Sequence, residues 1–223
     1  MITLYYGLTP NAFKVTIALE EMALPYELVP VNVIKGEQYS EAFTGLNPNN
    51  KIPVLVDGDP PGGGEPLRVF ESGAILLYLA EKSGRFFPAD LRGRVTVTQW
   101  LMWQMAGFGP MLGQAHHFLK YSKEQVPYAM ARYGGEAKRL YGVLDRHLAG
   151  RDHIAGDYSI ADMAVWPWVY FRGLQDIDLE NYPEVRRWYL AIAERPAVTK
   201  AMGGLDVQPA PLSDEDRKIL FGV

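Results

Sequence analysis

Three short runs of this chain carry groups that could do chemistry. Thr9-Pro10-Asn11 puts a hydroxyl and a carboxamide where a strand hands over to a helix. Asn47-Pro48-Asn49-Asn50-Lys51-Ile52-Pro53 ends in an X-Pro step that opens the apolar run Val54-Leu55. Such a step leaves a backbone amide and carbonyl at the surface, ready to pair with an extended peptide. Phe70-Glu71-Ser72-Gly73-Ala74-Ile75 sets an acid and a hydroxyl at the start of a helix. Glu71 offers a carboxylate to an ammonium. Ser72 offers a hydroxyl and an amide to a carboxylate. Each run alone is a weak signal, but together they describe a site for a short peptide with a free amino-acid end.

Composition narrows the chemistry. The 223 residues include no cysteine, which excludes disulfides, thiolate metal sites and a cysteine nucleophile. If this protein works on thiols, the sulfur must arrive with a ligand. Apolar residues make up 48% of the chain, enough for a sizeable core. The net charge is −4 and no basic stripe is present, so nucleic acid is not the expected partner. No apolar run approaches a membrane span. The chain opens directly into a strand-like run, and the expected location is cytoplasmic. His116-His117 invites a metal reading, but neighbouring helical residues point about 100° apart, and no further ligand stands at the right spacing. No metal site is expected.

The elements that must position these groups follow from periodicity. Ile2 to Tyr6 reads as a strand. Thr9 caps an amphipathic helix that runs from Pro10 to about Met22, with Val15, Leu19 and Met22 on one face. Tyr26 to Val31 is a second strand, and Tyr39 to Leu46 a short irregular helix. Val54 to Asp57 and Leu67 to Phe70 form a hairpin around a loop rich in glycine and proline. Ser72 to Lys82 is a helix. Beyond residue 90 strand signals fade, and helices fit 91–118, 128–148, 159–174 and 182–194, with a shorter one after Pro196. Separation of an α/β half from a helical half argues for two packed domains. The expected division is 1–85, a linker at 86–90, an all-helical domain over 91–205 and a tail over 206–223. Ser159 and Asp162 have capping-box spacing and a structural role. Trp100, Trp103, Phe108 and Met111 make an apolar stripe that serves either the core or a pocket wall. Gly107, Gly109 and Gly113 leave that helix open for close packing or for a ligand.

The order β-α-β-α-β-β-α, with the Ile52-Pro53 and Glu71-Ser72 runs, resembles the thioredoxin-like domain of glutathione transferases. Residues 1 to about 200 resemble the nu class of that family, through Thr9-Pro10-Asn11, Pro48 to Pro53, Phe70 to Leu79, Gly109 to His117, Pro127-Tyr128-Ala129 with Arg132-Tyr133, Ile154 to Ala164, and Trp166-Pro167-Trp168. The resemblance implies an α/β thioredoxin-like domain followed by an all-α domain, and a homodimer. It implies glutathione as co-substrate, one or two molecules per site or its disulfide, and a small disulfide or electrophile as second substrate. The ligand set it carries is Thr9, Asn11, Gln38, Lys51, Ile52, Glu71, Ser72 and Arg132, with Arg132 meeting a carboxylate within the subunit or across a dimer.

In this family the glutathione sulfur lies beside the first helix start, which gives Thr9 and Asn11 the catalytic role. A free thiol has a pKa of about 8.5, and lowering it by about two units needs roughly 2.7 kcal/mol in favour of the anion. A helix N-terminus supplies roughly 0.3–1 kcal/mol and a hydrogen bond to a charged group roughly 1.5–3 kcal/mol, so a side-chain donor is required. Tyr5 is the rival activator, set against a plain role as a half-buried strand residue. The expected activity is glutathione-dependent disulfide reduction. The alternatives are conjugation or peroxide reduction with the same thiolate, and an inactive interaction module of the same fold.

Overall fold

The structure is a computed structural model that describes residues 1–203 and 212–222. The first half holds strands β1 (Ile2–Tyr6), β2 (Tyr26–Pro30), β3 (Val54–Asp57) and β4 (Leu67–Phe70), with helices α1 (Pro10–Glu21), α2 (Glu41–Thr44) and α3 (Ser72–Ser83). The second half is helical: α4 (Leu91–Trp103), α5 (Gly109–His116), α6 (Pro127–Leu148), α7 (Ile160–Tyr170), α8 (Pro183–Ala193), α9 (Pro196–Met202) and α10 (Asp214–Phe221). Among the described residues no helix is long and apolar enough to cross a membrane.

The sheet order is β2-β1-β3-β4. β1 pairs parallel with β2, Leu4 opposite Leu28, and antiparallel with β3, Leu4 opposite Leu55. β3 then pairs antiparallel with β4, Val54 opposite Phe70. The two inner strands carry the buried residues Ile2, Leu4, Val54 and Leu55, while the outer strands expose most of theirs. This is a thioredoxin-like mixed sheet, and it packs on a helical domain. Asp57 at the end of β3 accepts from Tyr78 Oη and Lys82 Nζ of α3, both at 2.6 Å, and so fixes α3 to the sheet.

α1 starts as expected: Thr9 Oγ1 accepts from the Ala12 amide at 3.2 Å and Pro10 takes the first helical position. Its burial is greater than an amphipathic stripe requires. Every residue from Ala12 to Leu19 is buried, because α1 packs against α3 of its own half and against α7 and α9 of the second half. Phe13 stacks on Phe171 from that half. A side chain in this helix that is ordinarily charged and exposed, Lys14, is therefore buried.

In the segment 86–90 expected as a linker, the Phe86 carbonyl accepts from the Ile160 amide at the start of α7 at 3.1 Å. The Ser159–Asp162 capping box is formed, and Asp162 does more than cap. It also accepts from the Ile154 amide at 3.0 Å and from Trp188 Nε1 at 2.8 Å, which joins α7 to α8. The helix expected over 91–118 is divided. Two π-helical turns, Gln104–Phe108 and His117–Tyr121, flank α5. Such turns commonly mark functional segments. Of the expected tail, 206–211 and 223 lie outside the described residues; the remainder contains α10.

Candidate active site

A cavity of about 680 Å³ opens between the two halves. Its floor comes from the start of α1 (Asn11, Lys14) and of α3 (Glu71), and Lys51 stands at one side. The opposite wall is Gln104 and Met105 of the first π turn, Gly109, Pro110, Gly113 and Gln114 of α5, and His117 and Phe118 of the second. Trp168 of α7 and Phe221 of α10 complete it.

Asn11, in the first turn of α1, lines this cavity. Its Oδ1 accepts from Trp168 Nε1 at 3.2 Å. An indole N–H can only donate, so the Asn11 oxygen is the atom that faces Trp168. The Asn11 amide nitrogen, with two N–H donors, is left for the cavity. Thr9, two residues earlier, caps α1 and is not among the residues lining the cavity; its hydroxyl proton remains available because the oxygen acts there as acceptor. Tyr5 does not line the cavity; its ring packs edge-on against Phe43 in a small cluster with Val31 and Val54.

The loop before β3 is shaped by Asn47, which is buried. Its amide donates to the Lys51 carbonyl at 2.8 Å and its oxygen accepts from the Asn49 amide at 2.9 Å. The Ile52–Pro53 peptide is cis, and β3 follows directly. Gln38 is also buried. Its amide donates to the Val33 carbonyl at 3.2 Å, and its Oε1 has no hydrogen-bond partner among the described residues.

Glu71 precedes α3 with φ 69° and ψ 113°, a backbone conformation that non-glycine residues seldom adopt. Held backbone outliers of this kind gather at functional sites. Its side chain makes no capping bond and lines the cavity instead. The first amides of α3 therefore lack a side-chain acceptor, and their dipoles suit an anion. Ser72 is buried beside them.

Behind Ser72 lies Lys14, a residue the sequence analysis did not single out. Its Nζ donates to Gln104 Oε1 at 2.5 Å, Ser72 Oγ at 3.3 Å and Met105 Sδ at 3.4 Å. Burial lowers its pKa from 10.5 to about 7, against a smaller upward pull from the charge of Glu71. Its signal in the sequence is a single cation inside Phe13-Lys14-Val15-Thr16-Ile17-Ala18-Leu19. Glycine makes this packing feasible. A Cβ on Gly109 would stand 2.6 Å from Gln104 Nε2, and one on Gly73 2.8 Å from Met105 Cγ.

Other expectations resolve differently. Arg132 sits on α6 with its side chain 55% exposed and 3.9 Å from Glu136, and it is not among the residues lining the cavity. Trp100, Trp103 and Phe108 pack on one another, and with Met111 they belong to the core rather than the cavity wall. The two histidines separate. His116 is buried, faces Trp168 and Gln175, and burial lowers its pKa to about 4. His117 lines the cavity and meets Phe221 at 4.7 Å. α10 itself bridges the halves: Tyr39 Oη donates to the Ile219 carbonyl at 3.3 Å, Arg217 Nε to the Tyr121 carbonyl at 2.9 Å, and Asp214 pairs with Lys123. A mixed-charge tail gave no sign of this in the sequence.

The family model for the glutathione S-transferase N-terminal domain matches residues 1–81, and that for the C-terminal domain matches 107–196. The disulfide-bond oxidoreductase YfcG of Escherichia coli is 50% identical over 203 residues, covering 91% of this chain and 94% of YfcG. A glutathione transferase family member from Pseudomonas fluorescens, solved with two glutathiones bound, superposes with TM-score 0.87 at 44% identity, over 90% of this chain and 92% of that one. A glutathione transferase from Pseudomonas putida, solved with one glutathione disulfide per subunit, gives 0.86 at 43% identity over 93% and 92%.

Proposed function

We propose that this chain, which belongs to the glutathione S-transferase family, is an enzyme that reduces disulfides with glutathione. The observation that carries the reading is the Asn11 amide. Trp168 from the helical half holds its oxygen, so its N–H donors face the cavity that also holds Glu71 and Lys51. In this reading the γ-glutamyl ammonium meets Glu71, its carboxylate meets the Ser72 hydroxyl and the first amides of α3, and the peptide backbone runs along Ile52. Gln38 and Lys51 take the glycyl end. The thiolate lies against Asn11 and Thr9. Arg132 is assigned to the carboxylate of a second glutathione.

The reaction needs two external thiols. A bound glutathione thiolate attacks one sulfur of the disulfide, forming a mixed disulfide and releasing the other sulfur as a thiolate. A second glutathione thiolate then attacks the glutathione sulfur of that mixed disulfide. Glutathione disulfide forms and the second substrate thiolate leaves, so two electrons pass from two glutathiones to one disulfide. The rate depends on the thiolate fraction and on access to the sulfur. The chain has no cysteine to hold a covalent intermediate. Treating glutathione-free protein with iodoacetamide should leave disulfide reduction intact, and mass spectrometry during turnover should find no protein–glutathione adduct. A covalent adduct, or full activity when a bulk dithiol replaces glutathione, would refute the mechanism.

A homodimer is part of the same proposal. Leu91, Val95 and Met102 are exposed along one face of α4, beside Leu77 and Phe87, an apolar strip that a second copy would cover. Light scattering at micromolar concentration should give twice the chain mass, and a monomer would remove any role for Arg132 across subunits.

A further inference from the structure

We propose that Lys14 is a positioning residue of the carboxylate end of the site: its ammonium, buried behind Ser72, turns the Ser72 hydroxyl outward as a donor and gains from the bound carboxylate the counter-charge that the protein leaves missing. This inference rests on the glutathione reading.

The geometry is that of an incomplete ion site. Lys14 is 1% exposed, yet it belongs to the cavity floor. Its three N–H bonds go to an amide oxygen, a hydroxyl and a thioether, none of them anionic. A buried ammonium without an anion is costly, and proteins normally pair it or avoid it. Gln104 adds an independent sign of a missing ligand. It is fully buried, its oxygen serves Lys14, and its Nε2 has no partner among the described residues although it borders the cavity. α3 begins at Ser72 without a side-chain cap, so its unpaired first amides start beside the same hydroxyl.

No neighbouring element places an anion at ion-pair distance from Lys14 among the described residues. Glu71 at the head of α3 acts on Lys14 through its charge without a hydrogen bond to it among the described residues. Further along α3, Tyr78 and Lys82 are bonded to Asp57. On α9 and the far end of α1, Arg195 pairs with Glu21 and Lys200 with Glu20. Asp162 of α7 is taken up by Trp188, Ile154 and Ser159. Lys51 and His117, across the cavity, are not anions.

The protonation state of Lys14 sets the direction of one hydrogen bond. A charged Lys14 donates to Ser72 Oγ, and the serine proton, which in the ligand-free protein goes to the weak acceptor Met105 Sδ at 3.6 Å, can exchange that thioether for a ligand oxygen. A neutral amine has a lone pair that accepts the serine proton and turns the donor inward. Burial puts the free-protein pKa near 7, so close to neutrality both states are populated. A carboxylate on Ser72 favours the charged state, and by reciprocity the charged state favours the carboxylate.

Calorimetry with S-methylglutathione tests this without interference from thiol ionisation. At pH 7.5, in two buffers of different ionisation enthalpy, binding to the wild-type protein should take up roughly half a proton or more per site. Lys14→Met should bind at least about tenfold more weakly, as on loss of one hydrogen bond to a charged group, and should lose that proton uptake. Its ligand-free thermal midpoint should be unchanged or higher, whereas a purely structural lysine would lower it. Unchanged affinity and proton uptake in Lys14→Met would overturn the inference alone. No binding to the wild type would overturn it together with the glutathione reading. If Lys14→Met does not fold, the wild-type measurement decides, and absence of proton uptake overturns the inference.

Discussion

Replacing Asn11 by alanine should move the titration of the bound thiol while leaving the fold in place. In the proposed site the side chain gives one donor to the sulfur, and its other end is held by Trp168 Nε1 at 3.2 Å. Removing a hydrogen bond to an anion costs roughly 1.5–3 kcal/mol, which at about 1.4 kcal/mol per unit is a rise of about 1–2 pKa units. If the bound thiol starts about two units below its free value of about 8.5, it is roughly three-quarters thiolate at pH 7, and a rise of 1–2 units leaves about a quarter to a few per cent. Turnover at pH 7 should then fall about three- to thirtyfold and should recover towards pH 9. The deletion also leaves the Trp168 indole unpaired at a site only 7% exposed, a stability cost of about 1–3 kcal/mol. Trp168→Phe is the second arm. It keeps Asn11 but frees its amide to rotate, so it should produce part of the same thiol shift. The assay is ultraviolet thiolate absorbance against pH for the protein–glutathione complex. An Asn11→Ala titration that overlays the wild type, with Tyr5→Phe shifting it instead, would refute this account and pass activation to the strand tyrosine.

Other perturbations probe the rest of the structure. Glu71→Ala should weaken glutathione binding by roughly 1.5–3 kcal/mol; Glu71→Gly, better suited to φ 69°, should lose the same affinity with no loss of stability, and unchanged calorimetric affinity in both would remove Glu71 from the site. Because burial lowers the Lys14 pKa from 10.5 to about 7, the unfolded chain binds a proton between those values that the folded chain does not, so ligand-free stability should rise with pH. Urea unfolding from pH 7 to 9 should show a gain of the order of 1 kcal/mol per unit that Lys14→Met abolishes, and an identical slope in both proteins would contradict it. Asp162→Ala should destabilise by roughly 3 kcal/mol or more, since it strands the buried donors of Ile154, Ser159 and Trp188; a loss below about 1 kcal/mol in chemical denaturation would show that water replaces them.

The sequence by itself determined the order and type of the strands and of the helices α1 and α3 in the first half. Alternation in β1, the Ile52-Pro53 step before β3, the cap at Thr9 and the box at Ser159–Asp162 are local signals, and local signals survive without knowledge of what packs where. It also brought out Asn11, Glu71 and Lys51, because each stands at or beside an element boundary, where backbone chemistry is legible from residue type. Tertiary structure alone decided the rest. The face α1 buries depends on a second domain lying on it, so the enclosure of Lys14 could not be read from a helical period. The orientation of the Asn11 amide comes from Trp168, far along the chain in α7. Gln104 and Met105 reach the cavity through a π turn, whose extra backbone residue shifts the side-chain phase away from the 3.6-residue period that the sequence suggested. Phe221 reaches it only because α10 bridges both halves. Residue spacing reports what one element does with its own backbone. A site built between two domains is set by long-range contacts, and those exist only once the domains have packed.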